Sequence, residues 1–457
     1  MDEKQLKMEF MSILSESHPG LTFEEYRDAC VYLLFYQYCC LRFADRLEDT
    51  VLLRELVRMA VRGKLQIPSF LRFMENASGY MRICDSQLSF FEYTFVDRLK
   101  ESISQEKQKS YARFIRKLIK KIDAWDCDEL LLEMYPDLFS ELVKAFAGSK
   151  KETSISDQLC NLYRYLFDMS GAACESMLVP EFSYGLLYNV MEEEGSEPAF
   201  YGNETHREYM EIFHMICYMK GRDPEKVNVS MDYVWNEQGA LSGRIDRIAI
   251  YMPEGVEGGK LLVEPDSLPW DKDLLNSRAK GELPFLLSSL PYLNRTGCLT
   301  AVLPGAMLYR EGKEAQIRKY LIDELDCLEA VILLPDSVFS SLGQKEIMLF
   351  FRMNRDSDKI MLFDASEASG FDEDTLDRIG TAIREGKNEA GFCAAVSRED
   401  IRKNNYNLNL PRYISKTVRE ISLDVEARRE RIRQIDRELK EIDEMIAMYR
   451  RALEIQG

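Results

Sequence analysis

Hydrophobic residues in the first third of the chain recur at spacings of three and four. Tyr32, Leu33, Tyr36, Cys40 and Phe43 show the pattern, which is typical of a helix that buries one face. Alternation of the kind seen in strands is nearly absent before residue 147. The polar segment 148–156 ends in residues that cap helices, which indicates a joint. We therefore predict an N-terminal helical domain over residues 1–150.

Beyond this joint, short apolar runs alternate with segments of helix length. The runs lie at 176–179, 198–201, 260–263, 298–303, 330–334 and 347–351, and 246–251 is a possible seventh. Such alternation is typical of an α/β domain with a mainly parallel sheet that helices cover on both faces. We predict that this domain occupies residues 151–415.

The pattern changes again over residues 416–457. From Val425 to Leu453 the apolar positions are first seven apart and then alternate between three and four, with charged residues filling the rest. This spacing predicts a long amphipathic helix suited to a coiled coil or a bundle. Two interpretations stay open: the helix packs on its own domain, or residues 424–457 join a partner, including a second copy.

Composition narrows the class of protein. With 46% hydrophobic and 30% charged residues, no membrane-length apolar run and no secretion signal, the chain is expected to be a soluble cytoplasmic protein. Its eleven cysteines include no Cys-x-x-Cys pair, and no metal site is predicted. Since Lys and Arg supply most of the affinity for DNA, a net charge of −18 predicts weak DNA binding by this chain alone. Residues 113–121 are the densest basic stretch, either a solvated helix face or a local contact.

Four stretches carry a family resemblance: 302–304, 316–320, 334–339 and the Asn-rich 405–413. Together they resemble the modification (methyltransferase) subunit of type I restriction-modification systems, over residues 155–415. This resemblance implies a Rossmann-like methyltransferase sheet, S-adenosylmethionine as cofactor and adenine in DNA as the target. In that family a carboxy-terminal helix docks on the DNA-specificity subunit.

The resemblance also assigns cofactor-binding positions. The family's glycine-rich loop after the first strand aligns with residues 179–186, in which Pro180 and Gly185 remain. Val179 replaces its acidic residue and Tyr184 its small threonine, so we expect protein side chains to fill the cofactor's volume. Glu204, in a Tyr-Gly-Asn-Glu stretch, stands where the family's carboxylate accepts both ribose hydroxyls, although a Glu entering a helix also complements the helix dipole.

The catalytic motif of the family, Asn-Pro-Pro followed by Phe or Tyr, comes after the fourth strand. With that strand placed at 260–263, the motif aligns with Glu264 and Pro265 and ends at Ser267, which cannot stack on a base. A second register runs from Ser267 to Trp270 and restores an aromatic ring that could stack on a flipped adenine. Both registers stay open, and neither is intact.

The retained framework and altered ligand loops lead to three hypotheses. The first is a modification-subunit-like component of a type I restriction-modification or related defence complex, DNA-associated through that complex, with lost or weak methyl transfer. The second is an active S-adenosylmethionine-dependent adenine-specific DNA methyltransferase with divergent loops. The third is a free-standing regulatory scaffold that forms a homodimer through its C-terminal helix.

Overall fold

The computed structural model describes residues 3–16, 18, 20–91, 106–125, 129–148, 155–180, 197–204, 206–231, 240–252, 282–338 and 345–414. By its contacts the chain divides into a compact unit, Met1–Ile414, and a second unit, Ser415–Gly457. The second unit, with the predicted C-terminal helix, lies outside the described residues. Within the described ranges, no helix has both the length and the apolar composition that a membrane crossing requires.

Helices make up the whole N-terminal region as far as the structure describes it, in agreement with the sequence pattern. Ser156 then caps the next helix by accepting a hydrogen bond from the Leu159 amide at 3.2 Å. The α-helices are α1 (Glu3–Met11), α2 (Phe23–Arg42), α3 (Leu53–Val61), α4 (Ile67–Cys84), α5 (Gln108–Asp123), α6 (Glu129–Gly148), α7 (Asp157–Ser170), α8 (Arg207–Met219), α9 (Glu282–Ser289), α10 (Lys313–Lys319), α11 (Glu373–Glu385) and α12 (Arg398–Lys403).

Within the described part of the chain, nine strands form one sheet. They are β1 (Ser176–Val179), β2 (Ala199–Asn203), β3 (Val227–Ser230), β4 (Ile245–Tyr251), β5 (Leu293–Pro304), β6 (Leu328–Leu333), β7 (Glu346–Arg352), β8 (Lys359–Asp364) and β9 (Cys393–Ser397). Their order is β3-β2-β1-β4-β5-β7-β6-β8-β9. β7 runs antiparallel to β5 and β6, and β9 runs antiparallel to β8, while the other neighbours are parallel.

The strand predictions are confirmed at β1, β2, β5, β6 and β7. The possible seventh run is a strand as well, β4, buried along its whole length. Three further strands, β3, β8 and β9, were not expected. The run at 260–263 lies outside the described residues.

The helical region and the sheet region share helix α8. Phe213 and Cys217 of α8 pack in the core beneath the sheet, whereas Ile212 and Ile216 pack among the N-terminal helices. The Tyr32 hydroxyl of α2 also donates a 2.5 Å hydrogen bond to the buried Glu211 carboxylate of α8. The boundary near residue 150 stays a prediction, and the two regions meet through a common helix.

Gly305 allows β5 and β7 to approach closely. A Cβ at this position would lie 2.5 Å from the Lys345 carbonyl oxygen, to which the Gly305 amide already donates a 2.8 Å hydrogen bond. We expect Gly305→Ala to lower the free energy of unfolding by about 2 kcal/mol, because backbone must move to admit the methyl group. Urea unfolding checks this, with Gly79→Ala as the control. Gly79 lies in α4 with nothing within 4 Å of a Cβ, so that change should be neutral or stabilising.

Candidate functional site

The carboxyl ends of β1 and β2 lie side by side at one edge of the sheet. The two strands are parallel, with Val179 opposite Gly202. β1 continues into the buried Pro180, and β2 continues into Glu204. In open α/β sheets ligands bind outside the carboxyl ends of strands, so this edge is the candidate cofactor site.

Glu204 combines a helix-capping contact with deep burial. Its residue exposure is 3%, and its Oε1 accepts a 2.9 Å hydrogen bond from the His206 backbone amide and lies 3.2 Å from His206 Nδ1. His206 is the N-cap of α8, so the carboxylate complements the positive end of that helix dipole. The carboxylate thus lies buried at the edge of the sheet where ligands of this fold class bind.

Asn203 is a second polar side chain at this edge, and it was missed from the sequence. It closes β2 and is 1% exposed, and its Oδ1 accepts no hydrogen bond from any residue that the structure describes. A buried amide oxygen without a donor costs about 1 to 3 kcal/mol, so a water molecule or a polar ligand at this position would be stabilising. Its place in the Tyr-Gly-Asn-Glu stretch, one residue before Glu204, is the signal that could have identified it.

The fourth strand is not where the sequence placed it. The strand between β1 and β5 is Ile245–Tyr251, and residues 260–263 were expected there. β4 ends at Tyr251. The next residue, Met252, donates its amide to the Val302 carbonyl at 2.9 Å, and its fully buried side chain belongs to the core beside the sheet. The structure corrects this strand assignment, on which the two motif registers rested. The apolar pattern misled because Asp246 and Arg247 interrupt the true strand with charges.

Several candidate residues lie outside the described part of the chain. They are Tyr184, Gly185, Glu264, Pro265, Ser267 and Trp270. The filled cofactor pocket expected near Tyr184 therefore stays a prediction, as do both registers of the catalytic motif. Of the candidate site residues, the structure describes Pro180 and Glu204, and it brings them to the same edge of the sheet.

Asp246 fixes the start of β1, one of the two strands whose carboxyl ends form the candidate site. Its Oδ2 accepts hydrogen bonds from the backbone amides of Glu175 and Ser176, at 3.0 and 2.9 Å, and from the Ser176 hydroxyl at 3.0 Å. Asn294 Nδ2 donates to the other oxygen at 2.5 Å. One carboxylate thus joins β1, β4 and β5.

The neighbouring Arg247 holds the segment before β1 from the opposite face. Its guanidinium donates to the carbonyls of Ala172 and Ala173, both at 3.2 Å, and lies 3.3 Å from an Asp168 oxygen. The side chain is 5% exposed. Two adjacent charges inside an otherwise apolar run are the sequence signal for this pair of anchors, since buried charges persist only with partners.

Arg318 joins two of the stretches that carry the resemblance, 316–320 and 405–413, to the loop after β5. Its guanidinium donates to the carbonyls of Tyr406 (2.9 Å), Met307 (2.5 Å) and Arg310 (2.7 Å), and the residue is 4% exposed. The amide of Leu408 also donates to the Leu308 carbonyl at 2.9 Å. One arginine thus ties together the loop after β5, helix α10 and the 405–413 segment.

A cavity of about 290 Å³ lies away from the candidate site. Most of its lining residues come from α8 and from the segment that leads to the start of β3, and Gln87 comes from the N-terminal helical region, so the cavity lies near the amino end of β3. The lining residues are Gln87, His214, Cys217, Tyr218, Arg222, Pro224 and Val227. The opposite edge of the sheet carries Glu204, so this cavity is not the cofactor site.

Burial lowers the pKa of His214, in the wall of this cavity, from 6.5 to about 4. Between these values an unfolded chain takes up a proton that the folded chain does not, so the free energy of unfolding falls as the pH falls from 6.5 towards 4. We expect His214→Gln to flatten that decline by about 2 kcal/mol, measured by urea unfolding at several pH values. Parallel curves for the two proteins would contradict the assignment.

Comparison with known proteins gives the family. A family model described as N-6 DNA methylase matches residues 157–421. The methylase subunit of the type I restriction enzyme MpnII from Mycoplasma pneumoniae is 32% identical over 163 residues, which cover 34% of this chain and 30% of that protein. The MjaVII methylase subunit from Methanocaldococcus jannaschii is 24% identical over 364 residues, 73% of this chain and 62% of that protein. The matches thus span less than two thirds of each relative's length.

A solved structure shows the same fold. The type I restriction-modification methyltransferase subunit from Streptococcus thermophilus aligns with a TM-score of 0.70 at 17% identity, over 91% of this chain and 100% of that one. The predicted α/β class with a Rossmann-like methyltransferase sheet is confirmed, and so is the family resemblance carried by the four sequence stretches.

Proposed function

The chain belongs to the N-6 DNA methylase family, and we propose that it is a modification-subunit-like component of a type I restriction-modification or related defence complex whose methyl transfer is lost or weak. In this proposal it retains the framework of a methyltransferase and associates with DNA as part of a complex. S-adenosylmethionine is the cofactor that such a fold would take.

The proposal rests on Met252, the residue that follows β4. Counted from the observed strand, the family's Asn-Pro-Pro-aromatic motif aligns with Met252, Pro253, Glu254 and Gly255, and only its first proline remains. The Asn of that motif accepts the amino hydrogens of adenine, whereas a Met thioether is a weak acceptor. Met252 instead packs in the apolar core, fully buried. Met252, the described residue at this position, does not fit an adenine amine.

The cofactor edge is better preserved than the target-base position. Glu204 and Asn203 stand buried at the carboxyl end of β2, where they could accept hydrogen bonds from ribose hydroxyls and other polar groups of S-adenosylmethionine. When bound, that cofactor would supply an activated methyl group. The sequence of the loop after β1 argues the other way, because Tyr184 replaces a small residue where the backbone must approach the ligand.

Two measurements on the full chain test the proposal. Isothermal titration calorimetry with S-adenosylmethionine asks whether the cofactor binds. A tritiated-methyl assay on duplex DNA, with and without the specificity subunit of the same system, asks whether a methyl group is transferred. We expect no transfer above background in either arm. Repeated turnover, with many methyl groups transferred per enzyme molecule in either arm, would overturn the claim of lost or weak activity.

An active adenine-specific DNA methyltransferase with divergent loops is the second candidate. The observation in its favour is the polar pair at the end of β2, since a buried amide oxygen beside a buried carboxylate is a suitable place for a polar ligand. In this alternative Glu264 or Ser267 would accept the adenine amine and Trp270 would stack on the base.

Glu204→Gln probes whether the cofactor edge is used at all. If S-adenosylmethionine binds through the ribose diol, the substitution should weaken its affinity about 10-fold or more, since hydrogen bonds to charged groups contribute about 1.5 to 3 kcal/mol. His206→Gln is the matched control, because it changes the exposed neighbour of Glu204 and leaves the carboxylate in place. Equal affinities in the wild type and both variants would place any bound cofactor elsewhere.

The specificity subunit is the partner we propose, with residues 424–457 as the contact, and self-association through the same residues is the alternative. This chain matches less than two thirds of each relative's length, so its assembly with other subunits and its DNA target are proposals as well. Removing residues 424–457 and weighing the complex by light scattering distinguishes the two partners. Loss of a homodimer would favour the free-standing scaffold, and loss of the specificity subunit would favour the restriction-modification component.

A further inference from the structure

A basic stripe runs along the outer face of helix α5. Of the residues of this helix, six are basic and one, Asp123, is acidic, although the whole chain carries a net charge of −18. The basic residues share one side of the helix, opposite the buried Tyr111, Ile115 and Ile119. The basic stripe consists of Lys109, Arg113, Arg116, Lys117, Lys120 and Lys121.

The two edges of the basic stripe are held by neighbouring elements. On one edge Lys117 and Lys121 both form ion pairs with Glu16, the latter at 2.6 Å. On the other edge Arg116 Nη1 donates to the Leu65 carbonyl at 3.4 Å, next to the exposed Lys64. The helix is therefore fixed in rotation, and the stripe keeps its outward orientation without a ligand.

The centre of the stripe is left with uncompensated charge. Lys109, Arg113 and Lys120 are exposed, and none forms an ion pair with any residue that the structure describes. At 1.5 Å per residue they span about 16 Å, the length over which one strand of a DNA duplex presents about five phosphates. Along the helix axis Lys109 and Arg113 stand about 6 Å apart, and Arg113 and Lys120 about 10.5 Å apart.

We propose that the basic stripe contacts the phosphate backbone of double-stranded DNA. This inference rests on the proposed DNA association of the chain and adds the surface that makes it. An acidic protein surface is the competing occupant. Three exposed basic residues without ion pairs among the described residues, spread over about 16 Å of one helix, favour an extended polyanion over a single acidic side chain. Contacts of this kind are independent of sequence and sensitive to salt.

The test measures binding of the full chain to a fluorescein-labelled duplex by anisotropy, between about 50 and 200 mM salt. The double variant Arg113→Gln, Lys120→Gln should bind about 10-fold more weakly at low salt. Its slope of log affinity against log salt should fall by about 1.8 in magnitude, because each phosphate that is no longer neutralised lowers the slope by about 0.9. Both side chains are exposed, so the fold is expected to be unchanged, and urea unfolding verifies this.

The matched control is Arg384→Gln, Lys387→Gln, which removes the same two charges from an exposed site at the end of α11. It should leave affinity and slope at their wild-type values. Equal losses in both variants, or no loss in either, would overturn the proposal, as would a wild-type chain that fails to bind duplex.

Two results would overturn the DNA proposal in favour of an acidic protein partner. The first is duplex affinity that does not change with salt, and the second is tighter binding of polyglutamate than of duplex. The affinity for S-adenosylmethionine, measured by calorimetry, should be the same in these variants as in the wild type. A failure of the methylase proposal can therefore be distinguished from a failure of this one.

Discussion

Replacing Arg318 by Met should lower the free energy of unfolding by about 3 to 5 kcal/mol, the largest single-residue effect we expect in the sheet region. The Met side chain fills much of the same volume but donates no hydrogen bond. Three backbone carbonyls, of Met307, Arg310 and Tyr406, would then lose a charged donor in a buried place. Burial also lowers the pKa of Arg318, so the guanidinium is held there by its acceptors against the cost of desolvation.

Arg310→Met provides the matched control for Arg318. Arg310 lies in the loop before α10, and its half-exposed side chain makes a 3.3 Å ion pair with Glu314. Exposed pairs of this kind contribute about 0 to 1 kcal/mol, and the Arg310 carbonyl stays available to Arg318. Urea unfolding of both variants measures the difference. A loss below about 1 kcal/mol at Arg318 would show that the three carbonyls find other donors.

Arg318 also explains the uncommon backbone beside it. Asn405 and Tyr406 both have positive φ, at 53° and 56°. Asn tolerates this left-handed conformation, but it is unfavourable for Tyr. The Tyr406 carbonyl accepts from Arg318, and its hydroxyl donates to Asp323. These two contacts hold Tyr406 in its strained conformation. Asn405, beside it, is a residue type that tolerates the left-handed backbone found in this stretch.

The fold was predictable where local pattern and tertiary structure agree. The N-terminal helices and strands β1, β5, β6 and β7 consist of continuous or periodic apolar residues, which are strong local signals. β3 is a short edge strand with a polar Asn228, and β9 is rich in small residues, so neither carries a strong periodic signal. β8 is an apolar run like the others, and the sequence prediction that left it out was wrong at this strand.

The site was less predictable because its placement depends on long-range partners. Asp246 and Arg247 mark β4 as charged, and only the backbone groups of residues 172–176 explain why both are buried. Once β4 is placed at Ile245–Tyr251, the residues that directly follow this strand begin with Met252, whereas Glu264 and its neighbours lie outside the described residues. A shift of one strand therefore alters which residues are compared with a catalytic motif, even though the family assignment is unaffected.

Asp246→Ala should be the second large effect, a loss of about 3 to 4 kcal/mol in the free energy of unfolding. The substitution leaves two backbone amides, those of Glu175 and Ser176, without their acceptor, and it also frees the Asn294 amide. Because these donors lie at the start of β1, hydrogen exchange should accelerate first in β1 and in its neighbour β2.

Asp246→Asn separates the shape of this side chain from its charge. The Asn oxygen can accept from Glu175 and Ser176, but its amide group then faces the donating amide of Asn294. Asn294 cannot simply turn over, because its Oδ1 accepts from the amide and hydroxyl of Thr296 at 3.0 and 3.2 Å. We therefore expect an intermediate loss of about 1 to 2 kcal/mol. If Asn and Ala were equally destabilising, the charge of Asp246, and not its geometry, would be what holds β1 in register with β4.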